Sequence, residues 1–150
     1  MVDQKKLDVV YLKMAEDLST LSHAKRRKVG CLIVKDTQII AEGYNGTPRG
    51  FDNSCEFIDS LDEMYTKPEV LHAESNAITK LARSTNSSQG STLYVTCSPC
   101  FDCAKLIIQS GIERVVYRHM YTNKNCMEAL ALLTKAGISV TQNTLMKETS

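Results

Sequence analysis

A chain of 150 residues, 43% hydrophobic and 23% charged, has the makeup of one globular domain spanning 1–150, large enough for a core and too short for two. Eighteen Lys and Arg against 17 Asp and Glu leave a formal charge of +1, which argues against the strong positive field that polynucleotide binding draws on and favours a small-molecule partner. No apolar run reaches the roughly 18 residues of a membrane span, and the start, Met1 to Lys6, leads into an amphipathic pattern rather than a signal-peptide core, so a cytoplasmic location is expected.

Leu7, Val10, Tyr11, Met14, Ala15 and Leu18 repeat at three and four residues and predict an amphipathic first helix. Ala24 is followed by the cations Lys25, Arg26, Arg27 and Lys28, a run that by itself reads as a solvated face. Two apolar runs, Val29 to Val34 and Gln38 to Ala41, flank Lys35-Asp36-Thr37 and suggest a β-hairpin, with Cys31 as a small buried hydrophobe. Gly43, Gly46, Pro48 and Gly50 then mark a loop with unusual backbone angles. Asp52 to Pro68 is polar, with a short helix expected around Cys55 to Met64 and Cys55 as a spare thiol.

His72 begins the next helix, whose apolar face carries Ala77, Ile78, Leu81 and Ala82 before the polar loop Arg83 to Gly90. Thr92 to Thr96 reads as a buried strand, and the chain turns at Ser98-Pro99 into a helix running to about Gln109, with Gly111 as its stop. Arg114 to Tyr117 is a further strand, Met127 to Ala136 a helix and Ile138 to Thr141 a last strand, the intervening helix implying parallel pairing. The end, Lys147 to Ser150, is not a basic tail. This order fits an α/β fold, a mixed five-stranded sheet with helices on both faces.

Chemistry concentrates between Leu71 and Cys103. His72, Cys100 and Cys103 are the nitrogen and two sulfurs that a three-ligand catalytic zinc site takes, with a fourth position left for water. Glu74, two residues from His72, is placed to handle the protons of that water rather than to bind the metal. Cys97 competes by spacing but precedes Pro99 and is expected to finish the strand, facing away from the other two. A structural zinc module closed by Cys97 is the rival reading, and it leaves Glu74 without a task. The crowding of Cys97, Cys100 and Cys103 suits metal binding in a reducing compartment better than a disulfide framework; Cys31, Cys55 and Cys126 are assigned no role beyond packing.

His72-Ala73-Glu74 with Pro99-Cys100-Phe101-Asp102-Cys103 resembles the signature of zinc-dependent nucleobase deaminases. Arg26-Arg27-Lys28-Val29-Gly30, Gly43-Tyr44-Asn45-Gly46 and Ala104 to Ile108 extend the likeness to the deoxycytidylate (dCMP) deaminases, over most of residues 5 to 121. The resemblance implies the cytidine-deaminase-like three-layer α/β/α fold and the hydrolysis of dCMP to dUMP and ammonia, supplying dUMP for thymidylate synthesis. It implies Zn2+ on His72, Cys100 and Cys103 and Glu74 as the proton carrier. Substrate contacts are implied for Arg26 (5′-phosphate), Asn45 (deoxyribose), Ala73 and Tyr121. Relatives of this kind are hexamers activated by dCTP and inhibited by dTTP, which points to Gly46, Thr47, Arg49 and Gly50 as an effector loop, with Mg2+ accompanying the triphosphate. Many also hold a second, structural zinc, not expected here because Cys55 has no His between His23 and His72 to join it. Deamination of a free nucleoside, of guanine or of tRNA adenosine is the alternative. The Arg26 cluster argues against the first, and the near-neutral charge and lack of a basic tail against the last.

Overall fold

Among the described residues six strands and three helices follow a first sheet strand that has to pass close to the helix before it, and the reason lies in its first residue. In the computed structural model, which describes residues 3–144, a Cβ on Gly30 would collide with the backbone of Ala15 in helix α1 (Gln4–Ser19). Residues 147–150, on which the expectation of no basic tail rests, lie outside the described residues. Strand β1 (Gly30–Lys35) turns through Asp36 and Thr37, both at positive φ, into β2 (Gln38–Tyr44), the two-residue hairpin whose left-handed turn matches strand twist.

A small ribbon, β3 (Glu56–Ile58) and β4 (Met64–Thr66), precedes α2 (Ala73–Leu81). The remainder alternates: β5 (Thr92–Cys97), α3 (Phe101–Gln109), β6 (Arg114–His119), α4 (Lys124–Lys135) and β7 (Ser139–Gln142). The sheet order is β2-β1-β5-β6-β7, with β1 antiparallel to β2 and β5, and with β5, β6 and β7 parallel. This is the mixed five-stranded sheet expected from the element order.

Both faces of the sheet are covered, which is why its inner strands read as unbroken apolar runs. Alternate residues divide between the faces. Leu32, Val34, Tyr94 and Val116 pack against Tyr11, Leu12 and Ala15 of α1. Cys31, Ile33, Leu93, Val95 and Val115 pack against Ala77, Ala104, Ile107, Ala129 and Leu133 of the other three helices. Burying a side chain such as Leu12 completely contributes on the order of 2 kcal/mol. Gly43 serves α2 as Gly30 serves α1: a Cβ there would lie 2.5 Å from the Ala73 carbonyl oxygen and 2.7 Å from the Ala77 nitrogen.

One element differs from expectation. The helix expected around Cys55 to Met64 is instead the β3–β4 hairpin, with Glu56 opposite Thr66, Phe57 opposite Tyr65 and Ile58 opposite Met64. The Asp59 carboxylate accepts from the Leu61 and Glu63 amides, closing a turn that competes with helix, and the aromatic pair stacks at 5.6 Å. Helix α4 also begins three residues before Met127, because the Asn123 side chain caps it through the Cys126 amide at 2.8 Å. Among the described residues no helix is long and apolar enough to cross a membrane.

Candidate metal and substrate site

Two helix starts meet at the site. His72 is the N-cap of α2 but makes no side-chain capping bond, which leaves its ring to turn elsewhere. Cys100 is the N-cap of α3; Ser98 ends the preceding strand by donating its amide to the His119 carbonyl, and Pro99 then breaks the ladder. From these positions His72 Nδ1 lies 3.3 Å from Cys100 Sγ and 3.3 Å from Cys103 Sγ, and all three atoms lie within 4.8 Å of one another. Tetrahedral zinc, with bonds of roughly 2.1 Å to nitrogen and 2.3 Å to sulfur, needs neighbours at separations of this order. The donor set therefore fits zinc in both chemistry and spacing.

Cys97 stands apart from this group. Its Sγ is 3.3 Å from the Tyr121 hydroxyl, at the end of β5, and it is not among the three ligand atoms that converge. The strand position expected for Cys97 is the one observed.

One of the two thiols is held in a charge state that suits a cation. Hydrogen bonding with Cys103, aided by His72, pulls the Cys100 thiol down to about 4. Cys103 is pushed strongly upward by the same bond and by burial, so the metal-free pair shares a proton that a metal must displace. The hydrogen bond to Cys100 raises His72. Glu74, in the first turn of α2, is 4% exposed, and burial pushes its carboxyl above the usual range. A buried carboxyl raised in this way beside a metal-type donor set is suited to accept and return a proton.

These groups line an open cavity of about 250 Å³. Its buried lining includes Ala73, Glu74 and Cys97, while Arg26, Arg27 and Thr66 are exposed members, so the cations lie toward solvent. Arg26 Nη1 donates to Thr66 Oγ1 at 3.3 Å. Tyr121 also lines the cavity, with its amide donating to Ser98 Oγ at 2.9 Å and its phenol pushed up to about 12, first by burial and then by Cys97.

Asn45 reaches the same cavity, but its amide is largely committed to the chain itself: Oδ1 accepts from the Val29 amide at 2.9 Å and Nδ2 donates to the Arg27 carbonyl at 2.7 Å. The loop expected to hold an effector divides. Gly46 and Thr47 line a second hollow of about 380 Å³ together with His23 and Lys80, whereas Arg49 and Gly50 are exposed and line neither hollow. Gly46 pairs with Leu71 on either side of the chain, its amide donating at 3.1 Å and its carbonyl accepting at 2.8 Å, which ties this loop to the residue before His72.

Among the cavity residues to which the sequence reading gave no site role are Arg27, Glu56 and Thr66. The guanidinium of Arg27 lies 3.6 Å from the centroid of the Tyr121 ring, a stacking that adjacency to Arg26 alone could have suggested. Glu56 belongs to the segment expected to be helical and Thr66 lies just beyond it, and only their pairing across the hairpin brings them together.

Residues 5–119 match the model of the cytidine and deoxycytidylate deaminase zinc-binding region. The chain belongs to this family. The deoxycytidylate deaminase of Saccharomyces cerevisiae is 36% identical over 146 residues, covering 94% of this chain, and the chain spans 46% of the yeast protein's length. The deoxycytidylate deaminase of Enterobacteria phage T4 is 34% identical, with 86% of each chain covered. Among solved structures, the dCMP deaminase of cyanophage S-TIM5 in complex with dCMP and dUMP superposes with a TM-score of 0.84 at 42% identity, over 95% of this chain and 99% of that one. The fold of the family member and the sheet described above are the same cytidine-deaminase-like architecture.

Proposed function

We propose that the chain is a cytoplasmic zinc-dependent hydrolase that converts dCMP and water to dUMP and ammonia. The observation that carries this is the convergence of His72, Cys100 and Cys103 beside the buried Glu74, in a cavity that Arg26 and Arg27 also line. The cyanophage enzyme, solved with dCMP and dUMP, supports the choice of substrate.

Zinc held by these three residues would supply Lewis acidity, lowering the pKa of a water from ~15.7 toward ~7. Glu74 accepts a proton from the attacking water and delivers it to N3 of the cytosine as oxygen adds to C4. It then moves the proton of the new hydroxyl to the amino group, and the C4–N bond breaks with loss of ammonia. A carboxyl raised by burial is suited to both directions of transfer. Ala73, at the start of α2, offers backbone to the pyrimidine, and Arg26 offers a guanidinium fork to the 5′-phosphate. Tyr121 and Arg27 form the adjoining wall. Asn45 contributes to sugar binding chiefly by fixing the 27–29 backbone, with one donor and one acceptor position left over.

Control by dCTP and dTTP with Mg2+, the supply of dUMP for thymidylate and assembly as a hexamer belong to the same proposal. The effector reading is strongest for Gly46 and Thr47, which line a hollow with His23 and the cation Lys80. The test is ammonia release by the zinc-loaded protein with dCMP and deoxycytidine side by side, with and without dCTP. Turnover of dCMP in strong preference to deoxycytidine is expected. Equal turnover of the two would remove the phosphate role from Arg26.

A further inference from the structure

The segment that carries Arg26 has no secondary structure of its own, yet its backbone polar groups are taken up by side chains from elsewhere. On the far side of Arg27, the Asn45 amide brackets the chain. On the near side, one oxygen of Glu56 accepts from two successive amides, Lys25 at 2.9 Å and Arg26 at 3.0 Å. A carboxylate taking two backbone N–H groups makes charge-assisted bonds, stronger than ordinary ones.

Glu56 does not act alone. It stands directly opposite Thr66 in the β3–β4 ribbon, and directly opposed residues of an antiparallel pair project from the same face. Thr66 is the residue whose hydroxyl accepts from Arg26 Nη1, at 3.3 Å. One cross-strand pair thus holds Arg26 twice, by its backbone and by its guanidinium. The ribbon pairs with no strand of the main sheet, and its base is tied down by the Lys67 amide donating to the carbonyl of the buried Cys55 at 2.8 Å.

We infer that Glu56 and Thr66 are positioning residues that fix Arg26 for recognition of the nucleotide's 5′-phosphate, an inference that rests on the proposed dCMP reaction. An arginine on an irregular, exposed segment would otherwise have to be ordered by the ligand, and holding it in advance removes that cost from binding. The β3–β4 ribbon then acts as a specificity element: it distinguishes a nucleotide from a nucleoside without touching either the base or the metal ligands.

Steady-state kinetics of the zinc-loaded protein on dCMP and deoxycytidine test this, using the wild type, E56A, E56Q, T66V, R26A and the double variant R26A/E56A. E56A is expected to raise KM for dCMP about tenfold, the loss of bonds to a charged acceptor, while kcat and the KM for deoxycytidine move less than about twofold. E56Q, whose carbonyl oxygen still accepts both amides, restores most of the loss. In the R26A background, E56A adds nothing. An unchanged KM for dCMP in both E56A and T66V, or an effect of E56A that persists undiminished without Arg26, overturns the positioning role and leaves the deaminase assignment standing. Equal kcat/KM for dCMP and deoxycytidine in the wild type, or turnover of neither, overturns both. Should E56A fail to fold, T66V carries the same comparison.

Discussion

Glu74 and Cys97 show how much a single side chain's surroundings decide. Both are buried and line the same cavity, but Glu74 is a carboxyl raised by burial, whereas the Cys97 thiol is turned to the Tyr121 hydroxyl. Replacing Glu74 by alanine should leave zinc content at that of the wild type while kcat falls by roughly 10³-fold, the scale of a lost general acid and base. Elemental analysis beside ammonia release checks this, and a parallel loss of metal and activity would make Glu74 a ligand instead. The motif spacing singled out His72, Glu74, Cys100 and Cys103 because each sits at or beside a helix start that the sequence marks, with Pro99 announcing the second. Asn45 was less legible. Its loop was plain from the glycines, but that its amide brackets Arg27 and Val29 depends on where β1 lies.

At the scale of elements, α1 is held to the sheet by a polar contact within an otherwise apolar interface. Asp8, 5% exposed, accepts from both guanidinium nitrogens of Arg114 on β6 and from the Tyr94 hydroxyl on β5 at 2.6 Å. Burial pushes its carboxyl up, but hydrogen bonds from Arg114, Tyr94 and Gln4 outweigh this and hold it below the usual range. Because the folded value lies below the ~3.9 of an unfolded chain, this stabilisation is complete above the unfolded value and is lost as pH falls through the folded one. Asp8→Asn is therefore expected to lower the unfolding free energy by about 2–3 kcal/mol at pH 7, and by less near pH 3. Urea titrations at the two pH values measure it, and a difference independent of pH would show that the charge is irrelevant. Periodicity identified α1 but gives no sign of the burial of Asp8, since its partners are 86 and 106 residues away. The β3–β4 ribbon was misread for a related reason. A three-residue strand carries too little alternation to outweigh scattered apolar residues at helical spacing, and the Asp59 turn that settles it is a local competition.

For the whole molecule, the candidate metal is a junction between α2 and α3, two helices that otherwise meet through small residues such as Ala73, Ala77 and Ala104 on one face of the sheet. Removing zinc with a chelator should lower Tm by at least about 5 °C, since a ligand bound only to the folded state adds its binding free energy to stability. Restoring zinc in weak buffer should release protons, because the shared proton of Cys100 and Cys103 has to leave. An unchanged Tm together with no proton release would mean that no metal binds at this junction.

What the sequence determined by itself was whatever depends on near neighbours along the chain: the period of the helices, the apolar runs of the inner strands, the glycines and prolines between them, and two short motifs rich in metal-type donors. The family and the mixed sheet followed from these. What only the tertiary structure decided was which of the four cations before β1 face the cavity, that Asn45 is spent on the backbone, that Arg49 and Gly50 lie away from both hollows, and that Glu56 and Thr66 hold Arg26. The contacts of Asn45 and of Arg26 depend on segments 16 to 40 residues apart meeting in space. A charged or polar side chain carries no periodic signal for such a meeting, because its partner is set by the packing of the apolar faces beneath it.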